Sequence, residues 1–154
     1  MHLALYQPDI PQNTGTILRL AACLNIDVDI IGPTGFDMSE RTLKRAAMDY
    51  LTHVNITRHI SFSEFAKNRR PDARLILLTT QAKTTYTDFK FETNDILLLG
   101  RESKGAPVEV HDTADHRIKI PMRTGLRSLN IAVSASMVLG EALRQLDGFP
   151  ISDK

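Results

Sequence analysis

The chain contains no tryptophan, a single cysteine and only 6% aromatic residues. With Cys23 alone, no intramolecular disulfide can form, and a reducing compartment suits the composition. No apolar run approaches the ~18 residues needed to cross a bilayer, and the N-terminus enters a short strand directly instead of a signal peptide. The expectation is a cytoplasmic protein with no membrane association. Net charge is also missing: 19 basic against 18 acidic residues leave +1, which argues against a dedicated nucleic-acid coating protein. The basic residues are nonetheless clustered, at Arg41, Lys44 and Arg45, at Lys67, Arg69 and Arg70, and at Arg117, Lys119, Arg123 and Arg127.

Motif absences narrow the chemistry further. No G-x-G-x-x-G follows the first strand, so an ordinary dinucleotide fold is unsupported. Gly100 and Gly105 have phosphate-loop spacing, but Ala106-Pro107 stand where Lys and Ser/Thr must bind phosphate and magnesium. Neither a G-x-S-x-G elbow nor an H-E-x-x-H is present. His111, Asp112, Asp115 and His116 are read as a polar loop, and no metal is assigned.

What is present is an α/β alternation without internal repeats or low-complexity tracts. At 154 residues the chain is expected to be one domain, 1–154, burying roughly two-thirds of its unfolded surface. Strands are predicted at 2–6, 26–31, 54–59, 74–79, 95–100 and 117–120. Helices are predicted near 14–24, 38–48, 62–68 and 129–146, with a short turn around 107–111. Asp37 with Glu40 and Ser61 with Glu64 have capping-box spacing. Leu75 to Leu78 and Ile96 to Leu99 are continuous apolar runs, the mark of central parallel strands covered on both faces. The fold class is therefore a mostly parallel sheet flanked by helices on both sides.

Three strand-to-loop junctions carry the polar residues. The first runs through Pro11-Gln12-Asn13-Thr14-Gly15 into a helix bearing Arg19. The second is Gly100-Arg101-Glu102-Ser103-Lys104-Gly105, and the third leads from Ile120 through Arg127 and Ser128 to Asn130. Open α/β sheets bind ligands outside the carboxyl ends of their strands, so the three read as one composite site. Each residue also has a plain structural use: Asn13 and Ser128 as helix caps, Asn130 in a first helical turn, Arg19 as a snorkelling surface cation, and Glu102 as an exposed loop carboxylate.

In order and spacing, Pro11 to Gly15 with Arg19, Leu98 to Gly105, and Ile120-Pro121-Met122 with Arg127 to Asn130 resemble the three motifs of the trefoil-knotted, SPOUT-class RNA methyltransferases. The opening Leu5 to Gly15 and Arg45 to Tyr50 are most similar to the minimal members that 2′-O-methylate the tRNA wobble nucleotide. The resemblance implies S-adenosylmethionine as methyl donor and a C-terminal trefoil knot. Cofactor contacts are implied at Leu78, Gly100, Ile120 and Ser128, and a catalytic set at Arg19, Asn13, Glu102 and Asn130. It implies tRNA as partner, leucine tRNA foremost, with a cytidine or modified uridine ribose as target. Another tRNA or ribosomal RNA ribose, or a non-catalytic RNA-binding module of the same fold, is the alternative.

Two positions depart from the family pattern: Arg101, where proline is frequent, and Gly140, where an aromatic residue is frequent. The family account gives Arg19 the activation of the ribose hydroxyl. An arginine is effectively never deprotonated in proteins, so the physical reading is bidentate anchoring of an RNA phosphate, with the proton leaving through that phosphate or a water. Glu102 is expected either to pair with Arg19 or to favour the cationic donor.

The last helix predicts a homodimer. Ile131, Ala135, Val138, Leu139, Ala142 and Leu146 form one apolar face, and Leu129, Ala132, Val133, Met137 and Leu143 a second. A helix apolar nearly all round is buried nearly all round. By resemblance, the pairing uses the first and last helices.

Overall fold

The computed structural model describes residues 1–151, apart from the side chains of Glu40 and Lys44. Its strands are β1 (His2–Tyr6), β2 (Asp27–Ile31), β3 (Ile56–His59), β4 (Leu75–Leu78), β5 (Thr84–Thr85), β6 (Ile96–Leu99) and β7 (His116–Lys119). Its helices are α1 (Pro11–Leu24), α2 (Glu40–Ala47), α3 (Phe62–Asn68), α4 (Val108–Thr113) and α5 (Ile131–Gln145), with a 3-10 helix at Met48–His53. The strands form one parallel sheet in the order β3-β2-β1-β6-β4-β7-β5.

The apolar runs become central strands because alternate side chains feed two separate cores. On one face, Leu3, Leu5, Ile76, Leu97 and Leu99 meet Ile17 and Leu18 of α1, Leu43 of α2, and Val138 and Leu139 of α5. On the other, Ala4, Tyr6, Leu75, Leu77 and Leu98 meet Phe62 and Phe65 of α3 and Val110 of α4. Helices thus cover both faces, as the unbroken hydrophobicity requires. A Cβ on Gly15 would lie 2.5 Å from the backbone of Ala46, so only glycine lets α1 and α2 approach this closely.

Two tight turns of polar chemistry frame the sheet. Fully buried Asp95, just before β6, accepts from Arg74 Nε at 2.7 Å and Arg74 Nη2 at 2.8 Å, and from the Glu92 amide at 2.8 Å. Arg74 thereby ties the start of β4 to the start of β6. Asp115 accepts from the Leu75 amide at 2.7 Å and pairs with Arg69, while His116 stacks edge-on against Phe89. Asp115 and His116 of the 111–116 cluster are thus engaged in structural contacts.

Several element boundaries differ from expectation. The first helix begins at Pro11 rather than 14, because proline is pre-organised for the first helical position and Ile10 precedes it as N-cap. Asn13 is consequently not a cap. For α2 the capping side chain is Ser39, whose Oγ accepts from the Thr42 amide at 3.4 Å, while Asp37 accepts from the Ser39 amide. The side chain of Glu40 lies outside the described set. Ser61 caps α3 as expected, accepting from the Glu64 amide at 3.2 Å, but Glu64 returns to the Ile60 amide instead of Ser61. Two elements carry no periodic signal long enough to predict: the two-residue β5 and the 3-10 helix after α2.

Candidate active site

Loops after β4, β6 and β7 and the start of α1 enclose a cleft of about 560 Å³ at the carboxyl ends of the central strands. Leu78, Gly100, Ile120 and Ser128, the four expected cofactor contacts, all line it, as do Asn13, Glu102 and Asn130. Thr79, Thr80 and Gln81, beyond β4, line it too and carry no sequence signal beyond following a strand. Leu129 and Met122 add apolar wall.

The loop after β6 is shaped by its backbone. Arg101 and Gly105 exchange both amide bonds, at 3.1 and 2.9 Å, closing a tight hairpin around Glu102. Gly105 takes φ +67°, a conformation suited to glycine. At Gly100 a Cβ would stand 2.9 Å from Ala106 N and Gly105 C, so a side chain there would push the hairpin open.

Asn130 is the N-cap of α5, one position outside the helix where it was expected. Its Oδ1 accepts from the amides of Ala132 at 2.8 Å and Val133 at 3.3 Å. This fixes the amide's orientation, leaving Nδ2 to donate to Asn13 Oδ1 at 3.0 Å. Asn13 then has only its own Nδ2 to offer, and donates it to Glu102 Oε1 at 3.4 Å. The other Glu102 oxygen accepts from the Asp9 amide at 3.0 Å. Three loops distant in sequence are thus joined by one directed chain of hydrogen bonds, which starts at the positive end of α5. Ser128 caps nothing and sits exposed on the rim.

Burial raises the Glu102 carboxyl above its ordinary value, and the adjoining Asp9 carboxyl pushes in the same direction. Asp9 is held below its usual value by hydrogen bonding from Glu102 and from the Ser103 hydroxyl. Of the two carboxyls, Asp9 is therefore the stronger acid.

Arg19 is the exception. It does not line the cleft of its own chain; its guanidinium lies 4.6 Å above the Tyr50 ring, on the exposed side of α1. Six residues of helix turn Arg19 about 120° away from Asn13, more than a lean toward the N-terminus recovers. The expected Arg19–Glu102 pair is not formed.

A model described as "SpoU rRNA Methylase family" matches residues 1–140. The chain belongs to the SpoU methylase family. This SpoU methylase is 58% identical to a tRNA (cytidine(34)-2′-O)-methyltransferase of Beijerinckia indica subsp. indica, over 94% of this chain and 91% of that one. It is 37% identical to the enzyme of the same name from Escherichia coli, over 97% and 96%. A solved structure concerned with "the 2-OH methylation of C/U34 on tRNA" superposes with a TM-score of 0.90 at 41% identity, covering 96% of both chains. The AviRb SpoU methyltransferase of Streptomyces viridochromogenes, solved with AdoMet, gives 0.84 at 25% identity, over 96% of this chain and 60% of that one.

Proposed function

We propose that this chain transfers the methyl group of S-adenosylmethionine to the 2′-hydroxyl of the wobble ribose of tRNA, cytidine or modified uridine, with leucine tRNA as substrate. The observation that carries this reading is the hydrogen-bonded convergence of Asn13, Glu102 and Asn130 on one cleft, in a chain similar along its whole length to enzymes named for that reaction.

The cleft suits the donor. Its volume of about 560 Å³ falls within the usual ligand-pocket range of ~300–1,000 Å³, and Leu78, Leu99, Ile120 and Leu129 supply apolar wall for a planar base. When bound, S-adenosylmethionine supplies an electrophilic methyl group. The residues must then hold the ribose and take up its proton. Asn13 and Asn130 are fixed in orientation before any ligand arrives. Glu102, whose burial makes its carboxylate a stronger base than an exposed one, is suited to accept the proton in its ionised form. Arg19 serves as the phosphate anchor, supplied to the cleft by a second copy of the chain.

Homodimerisation through α1 and α5 is part of the proposal. Val133 and Met137 of α5, Leu129 just before it and Ile10 just before α1 are exposed by 38–48%, and a Cβ on Gly140 would meet nothing within 4 Å. The second apolar face is narrower than expected: Ala132 and Leu143 are buried in the core. A pairing there would add a partner's Arg19, with exposed Arg41, Arg45, Arg123 and Arg127, to one RNA surface. Light scattering at micromolar concentration should give twice 17.2 kDa, and a monomer mass contradicts the pairing.

Residues 1–154 act in this reading as one domain in the cytoplasm, with no membrane partner; among the described residues no helix is long and apolar enough to cross a membrane. A trefoil passage is supported by the sheet order, since β7 lies between β4 and β5 while the chain reaches β6 from β4 by way of β5. The decisive experiment is incubation of purified protein with labelled S-adenosylmethionine and unmodified leucine tRNA, followed by mass spectrometry of nuclease fragments. A methyl group on the wobble ribose is expected; label at another ribose, or none, refutes the assignment.

A further inference from the structure

Three consecutive residues of the loop after β6 converge on one residue, Asp9, of the loop after β1. The Asp9 carboxylate accepts from the Ser103 hydroxyl, its amide donates to Glu102 at 3.0 Å, and Arg101 Nε stands 3.7 Å from its Oδ2. Arg101 reaches the same loop a second time, donating from Nη1 to Gln7 Oε1 at 3.3 Å. From the other side, Gly35 presses against Asp9, donating its amide to Pro8 at 2.9 Å; a Cβ on Gly35 would lie 2.6 Å from Asp9 Cβ. Asp9 Oδ1 and Arg101 Nε are both buried without a hydrogen-bond partner among the described residues. A buried carboxylate oxygen left unmatched costs free energy, and such a cost is commonly found at functional sites.

We propose that Asp9 is a positioning residue for methyl transfer: its carboxylate holds Arg101 and Ser103 on either side of Glu102 and its amide holds Glu102 itself, so that the Glu102 carboxyl is kept against Asn13. This rests on the proposed role of Glu102. Arg101, the departure from the family pattern, becomes part of the clamp instead of a loss from the donor site. The charged and titratable groups around Glu102 are Asp9 from the first loop, Arg101 and Lys104 from its own loop, and His111 and Arg127 across the cleft. Among these, Asp9 is the acidic group, so removing its charge lets Glu102 ionise more readily.

The test compares Asp9→Asn, Asp9→Ala and Glu102→Ala in the full-length protein, with melting temperature measured for each. Asp9→Asn keeps a side-chain oxygen for Ser103 and removes the charge, so the acid limb of its kcat profile should move to lower pH. Asp9→Ala should lose kcat by about tenfold or more, since small misplacements of a catalytic group are costly, with the donor KM within about threefold. An Asp9→Asn profile coincident with wild type, or wild-type kcat in folded Asp9→Ala while Glu102→Ala is inactive, would overturn the proposal. Normal turnover in Glu102→Ala would instead refute the site reading on which it rests.

Discussion

Arg19→Ala should lower methylation by about 10²–10³-fold while leaving S-adenosylmethionine affinity within severalfold, the magnitude expected when one preorganised donor to developing negative charge is removed. The residue is not part of the cleft of its own chain and is assigned to the RNA phosphate and not to the donor, so donor binding is expected to persist. Lysine in its place should not restore turnover, because a point charge cannot reproduce the planar fork on a phosphate or the stack over Tyr50. The location of Arg19 gives this prediction a second part. Arg19→Ala and Glu102→Ala protomers, each inactive, should recover part of the activity when co-expressed, since a mixed dimer contains one cleft with Glu102 intact and an Arg19 from its partner. Near-normal turnover in Arg19→Ala refutes the role; no recovery in verified mixed dimers refutes the supply of Arg19 across the dimer.

The largest loss of stability is expected at Asp95, far from the chemistry. Its carboxylate is fully buried and satisfied by both nitrogens of Arg74 and by the Glu92 amide. An arginine is effectively never deprotonated in a protein, so Arg74 stays charged when its partner is removed. Breaking such a pair from one side costs about 3–5 kcal/mol, because it strands the remaining charge. Arg74 is a quarter exposed and also pairs with Glu92 at 2.9 Å, which places Asp95→Ala at about the lower end, roughly 3 kcal/mol. Urea denaturation should show this as a lowered midpoint with an unchanged slope. A midpoint equal to wild type means that the Glu92 pair and water replace Asp95.

The parallel sheet and its helical cover were legible because the information is local and redundant. Four consecutive apolar residues in Leu75–Leu78, and again in Ile96–Leu99, permit little else than a strand buried on both faces. Helix α3 was legible to the residue because Ser61 supplies a local start signal. Where start signals compete, as with Pro11 against Asn13 or Ser39 against Asp37, the outcome depends on backbone geometry that spacing does not encode. Strand β5 exists only because β7 offers an edge to pair with, so nothing within Thr84–Thr85 announces it.

The same division runs through the site. From the sequence, the strand-to-loop junctions located the site and the family resemblance implied seven of its lining residues, because the carboxyl ends of parallel strands share one edge of the sheet. Tertiary structure decided how those residues are used. It made Asn130 a cap, turned Asn13 toward Glu102, set Asp9 against three residues of a loop more than ninety positions away, and placed Arg19 over Tyr50 outside the cleft. Spacing along a chain fixes which end of an element a residue occupies. Which way a side chain points, and whose hydrogen bond it satisfies, is fixed only when the other loops arrive, because each acceptor must choose among donors that the sequence keeps far apart.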